Sequence, residues 1–151
     1  MKLCPVVYTK AADAPGILGD LRLMQNDVEH VVGGPEMSDC LFCKIARKEI
    51  PSAIVYEDDT LVAFKDISPQ APVHILIIPK AHCEGLGDLN PETAAAAARV
   101  TQVASRIAAD HGVEASGWRL LSNCGPDSGQ TVYHLHFHLL GGKPLGGRLC
   151  L

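Results

Sequence analysis

Three of the chain's seven histidines stand at alternate positions in Tyr133-His134-Leu135-His136-Phe137-His138. An imidazole with an ordinary pKa near ~6.5 can act as nucleophile, proton donor or metal ligand around neutral pH. In an extended chain, successive side chains point to opposite faces. The spacing therefore predicts a strand over 132–140, with His134, His136 and His138 on one face and Tyr133, Leu135, Phe137 and Leu139 on the other. Three imidazoles would burden a core layer with polar nitrogens that each need a partner, so the row reads as a site. The preceding loop suits an anion. Gly125 and Gly129, with the small Ser128 and Thr131, let backbone N–H groups approach a phosphate closely, and Asn123 adds a neutral amide able to reach a phosphate or ribose oxygen.

A second constellation is Cys40-Leu41-Phe42-Cys43. Such a pair can be a redox motif, half of a zinc knuckle or coincidence. The redox reading wants a strand followed by a helix N-terminus in a βαβ context, which the flanking residues do not present. Cys4, Cys83, Cys124 and Cys150 are scattered rather than spaced like a disulfide framework.

The elements that must hold these groups belong to a chain of 151 residues with 47% hydrophobic residues, 20% charged residues and a formal net charge of -4. A chain of that size can bury a core without staples. No basic stripe offers phosphate-backbone affinity, which argues against nucleic acid as a partner. No apolar run approaches the ~18 residues that span a bilayer, and the start of the chain is unlike a signal peptide. The expected setting is therefore reducing and cytoplasmic, away from membranes.

Residues 1–37 read as an extension, an accessory or partly disordered arm, in which Ile17, Leu21, Met24, Val28 and Val31 would mark an amphipathic helix over 16–32 able to pack on the main domain or on a second copy of the chain. The main domain is expected over 38–151. Ser38 or Asp39 is placed to cap a short helix through about Lys48, before Pro51. Residues 53–56 and 61–64 read as a hairpin around Glu57-Asp58-Asp59-Thr60, and 73–78 as a buried β-branched strand. Asn90-Pro91-Glu92 opens a long alanine-rich helix whose apolar face is Val100, Val103, Ala104 and Ile107, with Gly112 as its left-handed cap. Strands over 118–122 and 132–140 complete an α+β domain with a mostly antiparallel sheet.

Three segments together resemble a known family. They are Phe64-Lys65-Asp66-Ile67-Ser68-Pro69-Gln70-Ala71-Pro72-Val73-His74, then Ile78-Pro79-Lys80, then Gly129-Gln130-Thr131-Val132-Tyr133-His134-Leu135-His136-Phe137-His138. In this order they resemble the Hint branch of the histidine-triad (HIT) superfamily, with the likeness running from about Asp39 to Lys143. The resemblance implies a HIT-like α+β fold: a five-stranded sheet with one long and one short helix, continued across a homodimer. It also implies a purine nucleoside monophosphate site and hydrolysis of nucleoside 5′-phosphoramidates, with no cofactor required for catalysis. On that likeness His136 is the nucleophile, and His74 and His138 position or supply the proton for the leaving amine. Gly129, Gln130 and Thr131 offer backbone donors to the phosphate, together with Asn123 and His138. Asp66 takes the ribose hydroxyls, although a turn carboxylate before Ser68-Pro69 explains it equally well, and Ile67 lies beside the base. Cys40, Cys43, His82 and His134 match the ligands of a structural zinc found in some members. The tail from Gly141 departs from the tryptophan-containing end of animal Hint proteins, and Thr131 stands where serine is common. Two other classes stay open, a dinucleoside polyphosphate hydrolase of the same superfamily and a nucleotide-binding adaptor.

Overall fold

Strand β2, Leu61–Lys65, is buried on both faces along Leu61, Val62, Ala63 and Phe64, which places it inside a two-sided core. The computed structural model describes residues 40–147. The expected helix over 16–32 and the capping positions Ser38 and Asp39 lie outside them.

The described elements are helix α1 (Leu41–Ala46), strands β1 (Ile54–Glu57), β2 and β3 (Val73–Pro79), helix α2 (Pro91–Asp110), and strands β4 (Trp118–Leu121) and β5 (Phe137–Gly141). They form one five-stranded antiparallel sheet in the order β1-β2-β3-β5-β4. The expected α+β architecture is the observed one. Period-two alternation sends Leu61, Ala63, Ile75, Ile77 and Leu139 toward α2, which answers with Ala96, Val100, Val103, Ala104 and Ile107. Val62, Phe64, Leu76 and Ile78 face the other way, onto Phe42 and Ile45 of α1. The long helix thus braces one face while the short helix leaves much of the other open. No helix among the described residues is long and apolar enough to cross a membrane.

Helix α2 begins as expected. Asn90 Oδ1 accepts from Thr93 N–H at 2.9 Å, Thr93 Oγ1 accepts from Asn90 N–H at 2.9 Å, and Gly112 takes φ +68° past the helix end. Two expectations need correction. Helix α1 ends at Ala46 rather than near Lys48, and its N-cap is Cys40, which makes no side-chain capping bond. More consequentially, the histidine strand begins only at Phe137. Residues 132–136 leave the ladder: His134 N–H turns back to Val132 O at 2.9 Å and Leu135 N–H reaches across to Cys83 O at 2.7 Å. Alternation could not foresee this, because local turn bonds and a long-range bond outcompete strand pairing there. Accordingly Tyr133 is exposed instead of joining a core face, while Leu135 is fully buried.

Replacement of Asn90 by alanine removes the cap acceptor and is expected to lower unfolding free energy by about 1 kcal/mol. Urea denaturation reads this; an unchanged midpoint would mean that packing alone sets the helix start.

Candidate active site

His136 is the buried centre of the site, 5% exposed. Its Nδ1 lies 2.7 Å from the His134 carbonyl oxygen. A carbonyl only accepts, so Nδ1 carries a proton, and the neutral tautomer compatible with this bond has its lone pair on Nε2. Ser122 Oγ donates to the His136 carbonyl at 2.7 Å. The Phe42 ring meets the rings of both His136 and His134 edge-on, at 5.3 and 5.9 Å. The nucleophile candidate is therefore held on three sides although it lies outside the sheet.

His138 sits on β5 opposite Leu76 of β3, on the face with α1. The protons around it can be placed in order. Gln70 N–H donates to His74 Nδ1 at 3.1 Å, so that nitrogen is an acceptor. Burial holds the His74 pKa below the usual histidine value despite the nearby Asp66, so the ring is neutral and its proton is on Nε2. That Nε2 lies 2.9 Å from His138 Nδ1 and donates to it. Burial, then the neighbouring His136 and His74, push His138 down to about 4. His138 is thus neutral as well, with its remaining proton on Nε2. The sequence of bonds from Gln70 through His74 makes His138 a hydrogen-bond donor. Its ring centre lies 5.0 Å from that of His136, which presents an acceptor.

Both histidines line a cleft of about 560 Å³, within the range of small-molecule sites. Its apolar part includes Leu41, Phe42, Ile45, Ile50 and Phe64, contributed by α1, the following turn and β2. Asp66, Ile67 and Thr131 also line it. Asp66 serves the turn, since Oδ1 accepts from Ser68 N–H at 2.7 Å, while Oδ2 lies 3.5 Å from His74 Nε2. Ile67 is 99% exposed at its edge. The loop before the histidines differs in detail from a simple row of free amides. Gly129 N–H donates to Pro126 O at 2.9 Å and Gln130 N–H to Gly125 O at 3.3 Å. The buried Gln130 side chain binds the loop together, donating to Glu84 O and accepting from Gly125 N–H. Among the described residues, Thr131 N–H and the Asn123 side chain have no such partner.

Cys40, Cys43, His82 and His134 converge behind this site, their ligand atoms all within 4.8 Å of one another. His134 Nε2 donates to Pro79 O at 2.9 Å, which turns the Nδ1 lone pair toward the two sulfurs at 3.5 Å each. His82 Nδ1 lies 3.3 Å from Cys43 Sγ and 3.2 Å from His134 Nδ1. A tetrahedral ion with metal–sulfur bonds of about 2.3 Å and metal–nitrogen bonds of about 2.05 Å requires edges of about 3.5 Å and about 3.3 Å, so the corner has the right size. Burial and the neighbouring Cys40 push the Cys43 thiol up to about 11, and burial takes His134 down to about 4. The neutral His134 keeps a lone pair to give, and a cation would offset the charge that burial otherwise denies the Cys43 thiolate. The group Asp66, His74 and His138 is also close-set, but the proton order above leaves His74 Nε2 no lone pair for a cation.

The structure brings His136, His138, Asp66, Ile67 and Thr131 to one cleft, sets His74 against His138 without lining that cleft, and gathers the four Cys and His donors in one corner. Sequence reasoning missed Phe42, the Gln70 amide and Ser122. Phe42 carried a signal, since it lies between the two cysteines. The other two act through bonds that depend on folded geometry.

A family model described as the HIT domain matches residues 47–145 of the chain. A protein of Escherichia coli called purine nucleoside phosphoramidase is 50% identical over 111 residues, spanning 74% of this chain and 93% of that one. A HIT family hydrolase from Clostridium thermocellum superposes with a TM-score of 0.71 at 47% identity, covering 74% of this chain and 96% of that one. A histidine triad protein from Clostridium difficile gives 0.70 at 46%, with 73% and 96% covered.

The neutral His138 has a consequence for stability. Its folded pKa of about 4 lies below the unfolded value near ~6.5, so the unfolded chain binds the extra proton first as pH falls. Its contribution is complete above pH ~6.5 and is lost as pH drops through about 4. Urea midpoints at pH 7.5 and 4.5 should fall further for the wild type than for His138→Asn; parallel falls would show that His138 is not held neutral.

Proposed function

The chain belongs to the HIT domain family, and on that premise we propose that it hydrolyses purine nucleoside 5′-phosphoramidates through a nucleotidyl-histidine intermediate on His136. The observation that carries this reading is the tautomer of His136: its Nδ1 proton is committed to the His134 carbonyl, which leaves Nε2 as the one nucleophilic lone pair facing the cleft's chemistry. Attack forms a bond from Nε2 to the α-phosphorus and breaks the phosphorus–nitrogen bond. The departing nitrogen must take up a proton, because an amide anion is too basic to leave. His138 Nε2–H, ordered by His74, is the donor within reach of both the phosphoryl group and that nitrogen. Water then attacks the same phosphorus, breaks the Nε2–phosphorus bond and gives one proton back to His138, which releases the nucleoside monophosphate and restores both histidines.

The rest of the substrate is distributed by chemistry. The apolar wall takes the purine with Ile67 beside it, and the Oδ2 edge of Asp66, 3.5 Å from His74 Nε2, takes ribose hydroxyls. Charge developing on the phosphoryl oxygens is met by Thr131 N–H, the Asn123 amide and His138. Gly129 and Gln130 then act by shaping the loop, since their own amides are engaged within it.

Zinc is the ion for the corner of Cys40, Cys43, His82 and His134. Four nitrogen and sulfur donors close a tetrahedron and leave no open position, so the ion would be structural. It would neutralise the thiolates and anchor His134, while catalysis proceeds on His136 and His138 without a cofactor. Among the described residues strand β4 is one of the two edge strands of the sheet, paired with β5, and a second copy pairing along it would continue the sheet into a homodimer. The protein is proposed to act in the cytoplasm, where thiols stay reduced.

Steady-state kinetics test the reading. The value of kcat/KM should be far higher for an adenosine 5′-phosphoramidate than for a diadenosine polyphosphate, and His136→Ala should abolish turnover while AMP still binds; wild-type turnover in that variant would exclude His136 as nucleophile. For the corner, protein purified without chelator should contain about one zinc per chain, with Cys40 and Cys43 protected from alkylation until a chelator is added. Only traces of zinc, with both thiols freely alkylated, would rule the ion out.

A further inference from the structure

We propose that Ser122 is a positioning residue for the nucleophile. The inference rests on the assignment of His136 above and deepens it.

The β4–β5 ladder ends at the pair Leu121 and His138. His136 lies two residues beyond that pair, where the backbone has left the sheet. Ladder bonds therefore cannot hold it. Ser122, the first residue after β4, continues the connection with its side chain, donating Oγ–H to the His136 carbonyl at 2.7 Å. The Phe42 and His138 rings pack against the imidazole of His136, whereas its backbone lies outside the ladder. The His136 imidazole is tied to the His134 carbonyl, which fixes which nitrogen is free but not where the ring stands relative to the phosphate loop. Ser122 supplies the second restraint, and its place in the chain matters: it immediately precedes Asn123, the amide assigned to the phosphate. One hydroxyl thus joins the backbone of the attacking residue to the entry of the loop that receives the group attacked. A ground-state complex tolerates some slack between these two. A transition state at bonding distance does not, and a misplacement of about 1 Å can cost on the order of a hundredfold in rate.

The test compares Ser122→Val with Ser122→Thr. Threonine keeps the hydroxyl, and valine has the same shape without it. Single-turnover formation of the nucleotidyl-His136 species from an adenosine 5′-phosphoramidate is followed by quenched flow, beside AMP affinity and melting temperature. In Ser122→Val the rate of nucleotidylation should fall about ten- to hundredfold, with AMP affinity within about twofold, while Ser122→Thr should stay within about threefold of wild type. The proposal is overturned if valine retains the wild-type rate, if threonine fails to rescue it, or if rate, affinity and melting temperature fall together, which marks a merely structural bond. A wild-type protein that forms no nucleotidyl-histidine would instead overturn the assignment of His136 itself, and the role of Ser122 with it.

Discussion

Every imidazole in the triad and its support has one nitrogen committed to a bond that determines the state of the other. Pro79 O takes the Nε2 proton of His134, the His134 carbonyl takes the Nδ1 proton of His136, and Gln70 N–H occupies Nδ1 of His74, which in turn orders His138. Neutral imidazole has two tautomers close in energy, and a site that needs a lone pair here and a proton there would otherwise lose part of its population to the wrong one. Of these backbone partners Pro79 ends β3, while Gln70 and His134 lie in the turns beside the sheet. In the proposed reaction the same residue type does three jobs within five positions: His134 faces the four-donor corner, His136 is the assigned nucleophile and His138 the assigned proton donor.

That division of labour depends on the break in the strand. Regular alternation would have put the three rings in a row on one face, equivalent and equally spaced. Because residues 132–136 turn out of the ladder, His134 is fully buried behind the cleft, whereas His136 lines it. Helix α1 completes the separation. Its two cysteines point into the corner while Phe42 between them packs on the rings of His134 and His136. The four-donor corner and the apolar wall of the cleft consequently both draw on one short helix and its N-cap.

Most of the sheet could be read from the sequence because period-two burial and turn chemistry are local. The hairpin about Asp58, the run Val73–Pro79 and the Asn90 cap followed directly from residue types. The triad and the cysteine pair could also be recognised, since their spacing is unusual enough to carry information. The exit of the strand before Phe137 could not, because it depends on Cys83, a residue more than fifty positions away, receiving the Leu135 amide. The engagement of the Gly129 and Gln130 amides was equally hidden, as glycine content shows that a loop can approach an anion and not which of its donors are already used. Ser122 resembles any strand-end serine until its hydroxyl is seen on the His136 carbonyl.

Ile67 shows what such positioning leaves in reserve. The turn that holds it is fixed by the Asp66 bond to Ser68 and by the Gln70 amide on His74, and it keeps a large aliphatic side chain 99% exposed at the edge of the cleft. Water must hydrate that side chain for as long as the cleft is open. A flat ring laid against it displaces that water, and complete burial of an isoleucine is worth roughly 1.5–3 kcal/mol. The polar bonds at the phosphate end decide where a nucleotide sits. On the proposed reading, the hydration relieved at Ile67 would give the cleft an attraction for the base with little regard to the pattern of heteroatoms on its edge, a grip that does not tell one purine from another.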